Sequence, residues 1–120
     1  MKHIVVFAAL ATLAAPAIAQ DADAIARVKD AGQSCAGCNL FQGDFAYSQV
    51  TNRNLSGARL RQASFVAAVA DGTDFSNANL SIANLAAGRF TRASFVDADL
   101  SRANMTGAYA GYADFAGATL

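Results

Sequence analysis

Cys35 and Cys38, in the stretch SCAGCNL from Ser34 to Leu40, are the residues whose type and spacing point most directly to chemistry. A Cys-x-x-Cys pair serves as a redox couple when a thiol pKa is lowered, as half of a metal clip, or as a short disulfide staple. The single histidine is His3, so no Ser/His or Cys/His nucleophilic system is expected further along, and no imidazole ligand. Haem attachment needs a histidine after the second cysteine, and Asn39 stands there. One pair without further ligands does not make a zinc site within a single chain. A thioredoxin-like site would bring a βαβ pattern with an aromatic or proline beside the pair, and neither is present. The readings left open are a Cys35–Cys38 disulfide clasp, a redox pair, and two buried thiols. No catalytic residue, metal or cofactor is expected.

The compartment bears on that choice. The chain starts MKHIVVFAALATLAAPAIAQ, with a positive Lys2, an apolar run from Ile4 to Ala15, and Ala17-Ile18-Ala19 in the small-x-small form of a signal-peptidase site. Residues 1–19 read as a signal peptide cleaved before Gln20. The run is shorter than the roughly 20 residues that span a bilayer, so the mature chain is expected to lack a stable membrane anchor. It is expected to be periplasmic or secreted, where disulfides form. Formal net charge is +0 over the 120 residues, and cleavage removes Lys2, leaving it near −1. Such a balance argues against nucleic acid or another strong polyion as partner.

From Leu40 onward, large apolar residues fall on every fifth position: Leu40, Phe45, Val50, Leu55, Leu60, Phe65 and so on to Phe115 and Leu120. Two places before each stands a small residue, most often alanine; Arg53 is the misfit. Neither a helix at period 3.6 nor a strand at period 2 gives such a series. A chain with one large and one small apolar residue per five must turn a corner once per repeat, and four corners close a square coil. Residues 20 apart then stack at one ladder spacing, about 4.8 Å. The columns agree: Leu40, Leu60, Leu80, Leu100 and Leu120; then Phe45, Phe65, Leu85 and Met105; then Leu55, Phe75, Phe95 and Phe115. The remaining column, Val50, Ala70, Phe90 and Ala110, mixes sizes and is expected to be underfilled at Ala70.

Ala78-Asn79-Leu80, Ala83-Asn84-Leu85 and Ala98-Asp99-Leu100 carry the A-(D/N)-L-x-x pattern, and residues 38–120 resemble the pentapeptide-repeat family. The resemblance implies an all-β solenoid, a right-handed quadrilateral β-helix of about four coils, and a noncatalytic scaffold or protein-interaction module. Some members mimic DNA and bind gyrase, but that use needs a strongly acidic cytosolic rod. Solenoid ends need caps. Residues 20–37 are expected to provide the first as a short helix, with Asp21 as N-cap, Ala22, Ile25 and Val28 on one face and Gly32 as the stop. The other end, at Leu120, is expected to be bare and to allow a homodimer through the C-terminal coil.

Outward positions stack by the same rule. Arg89 is expected beneath Tyr109 and Arg92 beneath Tyr112, as two cation-π rungs or as a basic and aromatic patch for a glycan, an anionic ligand or a partner protein. Ala46, Tyr47, Val66, Ala67, Ala86 and Ala87 form a flat apolar strip on another face. An arginine cannot be buried unpaired in a narrow apolar core, so residues 51–54 are expected to bulge and expose Arg53. A periplasmic thiol-disulfide protein using Cys35 and Cys38 is the competing function.

Overall fold

The computed structural model describes residues 20–120; the expected signal peptide lies outside the described residues. The repeats are built on one turn. Gly43 N–H donates to Leu40 O at 2.9 Å, and this i to i+3 bond recurs from Ser48 on Phe45, at 3.1 Å, to Ala118 on Phe115, at 3.0 Å, except at Arg53, where Val50 O accepts the Thr73 hydroxyl. The third turn residue takes a left-handed φ, 56° at Gln42, 57° at Asn52 and 59° at Asn77, as a type II turn requires.

Every backbone N–H in a regular repeat has a definite destination, as burial demands. In the repeat around Phe65, Phe65 N–H donates to Asn84 O at 2.7 Å and Ala67 N–H to Ala86 O at 3.0 Å, both in the next coil, while Ser64 N–H donates back to Gly43 O at 2.8 Å. Ala68 N–H closes the turn. The one left, on the residue after the large apolar side chain, goes to the polar side chain two places earlier. Ala46 N–H donates to Asp44 Oδ1 at 3.0 Å, Ser56 to Asn54 at 3.0 Å, Ser81 to Asn79 at 3.0 Å and Ala116 to Asp114 at 3.0 Å. The repeat therefore favours Asn, Asp or Ser between its small and large apolar residues, because a short side-chain oxygen closes the last open donor.

Parallel bridges join residues 20 apart, as in Asn39 to Arg59, Arg59 to Asn79, Asn79 to Asp99 and Asp99 to Thr119. Corners come so often that each pairing is an isolated bridge, and the described chain is a solenoid of stacked turns with no continuous strand.

The interior columns are closed to solvent from Leu40 through Leu100. Phe75 stacks on Phe95 at 5.1 Å and Phe95 on Phe115 at 4.8 Å; on another column Phe45 stacks on Phe65 at 4.9 Å. The underfilling expected at Ala70 is corrected by ring packing. Phe65 and Phe75, either side of Ala70 in the chain, meet edge to face at 5.5 Å, and Phe90 comes within 6.1 Å of Phe75 and 6.5 Å of Phe65. Gly88 permits this, since a Cβ there would lie 2.6 Å from Phe90 Cε2. Burial declines toward the last coil, where Met105 and Phe115 are half-buried and Leu120 is 80% exposed.

Helix α1, Ala22–Lys29, packs on the other end through Ala24, Val28 and part of Ile25, while Ala22 is exposed. Asp21 is the N-cap, accepting from Ala24 N–H at 3.0 Å, and the helix ends at Lys29 with Asp30 as C-cap, ahead of Gly32. The first full coil exposes carbonyls that have no preceding coil to donate to them, and side chains supply donors. Gln20 Nε2 donates to Gln42 O at 3.0 Å. On another edge Ser34 Oγ accepts Asn54 N–H at 2.8 Å in place of a backbone oxygen.

Arg53 serves the same end, and the expected bulge is limited to the lost turn bond between Arg53 N–H and Val50 O. The ladder runs unbroken through it, with Asn52 N–H on Asp71 O at 2.9 Å, Asp74 N–H on Arg53 O at 2.9 Å and Leu55 N–H on Asp74 O at 2.8 Å. Its guanidinium donates to Thr51 O at 2.6 Å and Gln49 O at 3.5 Å, and Nε is buried without a partner. The side chain is admitted at this inward position because it caps the first coil. Arg53→Ala is expected to destabilise by about 1.5–3 kcal/mol, the range for hydrogen bonds to charged groups. Urea denaturation followed by circular dichroism reads it, and a more stable variant would mean that the buried Nε outweighs the capping.

Candidate functional site

Cys35 and Cys38 extend the repeat one step before Leu40. Cys35 N–H donates to Asn54 O at 3.0 Å, Gly37 N–H to Ser56 O at 2.8 Å, and Cys38 N–H closes a turn on Cys35 O at 3.3 Å. Cys35 thus takes the inward large position of a repeat whose polar position is Ser34, and Cys38 the inward small position of the next, ahead of Asn39 and Leu40. Their sulfurs are joined across that turn, with the Cα atoms 5.5 Å apart. Cys35 is 7% exposed and Cys38 half-buried, and Arg27 Nη2 lies 3.9 Å from Cys35 Sγ. An attacking thiolate would have to reach a sulfur lying between α1 and the first full coil.

The surface holds a second candidate. Bridges join Gln49 to Val69, Val69 to Arg89 and Arg89 to Tyr109, the column of outward residues on the third face. On this face the short polar residue that closes the turn N–H is replaced in every described coil. One substitute closure exists: Asp71 Oδ1 accepts Thr91 N–H from the next coil at 3.0 Å. Asp71 Oδ2 accepts Arg89 Nε–H at 2.7 Å, and Arg89 Nη2 donates to the same oxygen. That hydrogen bond from Arg89 holds the Asp71 carboxyl below its ordinary value, against desolvation and with help from Thr91. The same bond raises the Arg89 pKa.

Of the two expected cation-π rungs, one forms. Arg92 lies 5.7 Å from the centroid of the Tyr112 ring. Arg89 instead reaches back one coil to Asp71, because a carboxylate within hydrogen-bonding distance is the stronger partner for a guanidinium. Tyr109 lies along the backbone at Gly111, where a Cβ would stand 2.6 Å from its hydroxyl and 2.8 Å from Cζ. Tyr109 and Tyr112 remain 57% and 85% exposed. The structure thus places Arg89, Arg92, Tyr109 and Tyr112 on neighbouring rungs of one face, as the 20-residue rule implies. Asp71 and Gly111 were missed in the sequence; the stacking of Asp71 under Thr91, 20 residues on, was a usable signal. The apolar strip on the second face consists of turn residues, with Ala46, Val66, Ala67 and Ala86 half-buried beside Tyr47, which is 79% exposed.

Among the described residues no group of three or more His, Cys, Asp or Glu could hold a metal ion, and no helix is long and apolar enough to cross a membrane.

Comparison with known proteins matches the fold. The chain is similar to a pentapeptide repeat protein from the thylakoid lumen of Arabidopsis thaliana, with 30% identity and a TM-score of 0.64, covering 72% of this chain and 64% of that one. It is also similar to a pentapeptide repeat protein from Nostoc PCC 7120, with 26% identity and a TM-score of 0.67, covering 78% of each chain. QnrB1, a plasmid-mediated fluoroquinolone resistance protein, shares the fold at 17% identity and a TM-score of 0.60, over 64% of this chain and 40% of its own. The chain therefore spans less than two thirds of the thylakoid protein and of QnrB1. No curated protein matches it. The family model for pentapeptide repeats matches residues 44–81 and 83–120, and the chain belongs to that family.

Proposed function

We propose that this is a noncatalytic, exported interaction module whose third face binds a partner protein. The observation that carries this is the loss of the turn-closing polar residue along that face, at Gln49, Val69, Arg89 and Tyr109, while the other faces keep it at Asp44, Asn54, Asn79 and Asn84. A position that gives up its own turn-closing side chain in coil after coil, and gains Arg and Tyr near one end, fits selection for contact. Tyr and Arg dominate the energetics of protein interfaces. Export rests on the first 19 residues, and the similarity to a thylakoid-lumen protein fits a protein delivered across a membrane.

A photo-crosslinking amino acid at Thr91, on the third face, compared with one at Asn84, on the second, identifies the partner by mass spectrometry. Titration of that partner then tests the face: Tyr109→Ala with Tyr112→Ala is expected to weaken binding at least about tenfold, the scale of interface hot spots. Unchanged affinity, or crosslinking from Asn84 alone, would remove the third face as the site.

A further inference from the structure

We infer that the partner segment recognised by the third face is acidic, with Arg92 as its anchor. This rests on the interaction reading above and adds the chemistry of the occupant. The two arginines differ in their partners. Arg89 has its carboxylate, Asp71, which takes both Nε and Nη2. Arg92, one turn away and exposed, has no carboxylate partner among the described residues; its charged group rests beside the Tyr112 ring. A guanidinium that rests over a ring spends no N–H donor on a carboxylate, and a planar guanidinium recognises a carboxylate through two such donors at once.

Charge on the neighbouring surface gives the direction. The third face carries Arg89, Arg92 and a single acid, Asp71, which is already paired. The fourth face carries Asp74 and Asp114 in its outward column and Asp97 at its corner, with no basic residue in those columns. Two adjacent faces of a nearly neutral chain are thus oppositely charged, and a carboxylate near Arg92 is attracted to one and repelled by the other. Beside Arg92, Tyr109 lies flat along Gly111 and Tyr112 stands at the corner. They offer apolar surface with hydroxyl donors, which suits an extended peptide carrying acidic side chains better than a compact anion.

The test uses the mature chain with its disulfide intact and three probes: hexaglutamate, hexalysine and chitotriose. Amide and arginine side-chain resonances are followed by heteronuclear NMR at low ionic strength. Hexaglutamate is expected to shift Arg92, Tyr109 and Tyr112 saturably, and Arg92→Ala is expected to weaken it at least fivefold. Arg92→Lys should recover only part of that loss, because an ammonium lacks the planar pair of donors. Rising salt should weaken binding. Hexaglutamate shifts centred on Arg59 and Arg61 instead, or surviving Arg92→Ala, would overturn the assignment of the anchor. Chitotriose binding at the same residues with hexaglutamate silent would overturn the acidic peptide while leaving a binding face. Silence from all three overturns the acidic chemistry, and the crosslinking experiment then decides the interaction reading separately.

Discussion

Phe95→Ala is expected to be among the most damaging single truncations in the chain, costing about 3–5 kcal/mol, the range for a buried phenylalanine cut to alanine. Phe95 is fully buried, stacked on Phe75 at 5.1 Å and Phe115 at 4.8 Å, with Phe90 against its edge at 5.7 Å. Truncation removes two stacked pairs and one edge contact, each worth about 0.5–1.5 kcal/mol beyond area burial. It also opens a cavity that the rigid ladder cannot collapse around, because Phe95 N–H is fixed to Asp114 O at 2.7 Å. Phe115→Ala, in the same column, should cost clearly less, since that side chain is half-buried and stacks on one side. Urea denaturation of the two variants measures the difference. Equal losses would contradict a column whose packing strengthens toward its middle.

The same column shows how much of the fold was legible. Large and small apolar residues repeating at five dictate a corner per repeat, and the 20-residue stack of Leu40, Leu60, Leu80 and Leu100 follows from four corners. Those features depend on the identity of residues near in sequence. What was not legible depends on a side chain's choice among partners in space. Arg53 looked like a defect because its slot is inward, yet that slot lies at the open end of the first coil, where carbonyls need donors. Ala70 looked like a void because size was counted along its own column, whereas the rings of Phe65 and Phe75 fill space across the coil. Arg89 was paired with the aromatic 20 residues ahead of it and not with Asp71, 18 behind, because the stacking rule orders backbones and leaves a long side chain free to lean. Arg89 still lies on the rung next to Tyr109, and Arg92 beside Tyr112, because the stacking of residues 20 apart is a backbone property.

Reduction of the Cys35–Cys38 disulfide, or Cys35→Ser with Cys38→Ser, is expected to cost about 2 kcal/mol, the chain-entropy value for closing so short a loop. The loss should be local. A solenoid couples each unit mainly to its neighbours, so amide exchange should quicken at Cys35, Gly37 and Leu40, where the first turn meets the coil below, and stay slow at Leu80 and Leu85. The Arg53 and Ser34 caps should loosen with it, since Asn54 is bonded both to Ser34 Oγ and to Cys35 N–H. This outcome separates the two roles of the pair. A catalyst of thiol exchange must pass between oxidised and reduced forms without spending its fold, and its potential lies between about −120 and −270 mV. A staple inside a turn of the ladder gains stability only when closed, and a potential below about −300 mV is expected for it. Cys35 is nearly enclosed and its backbone is part of the ladder, so opening the bond disturbs the first turn itself. A reduced form as stable as the oxidised one, with unchanged exchange at Gly37, would move the function of this chain from its third face to its cysteines.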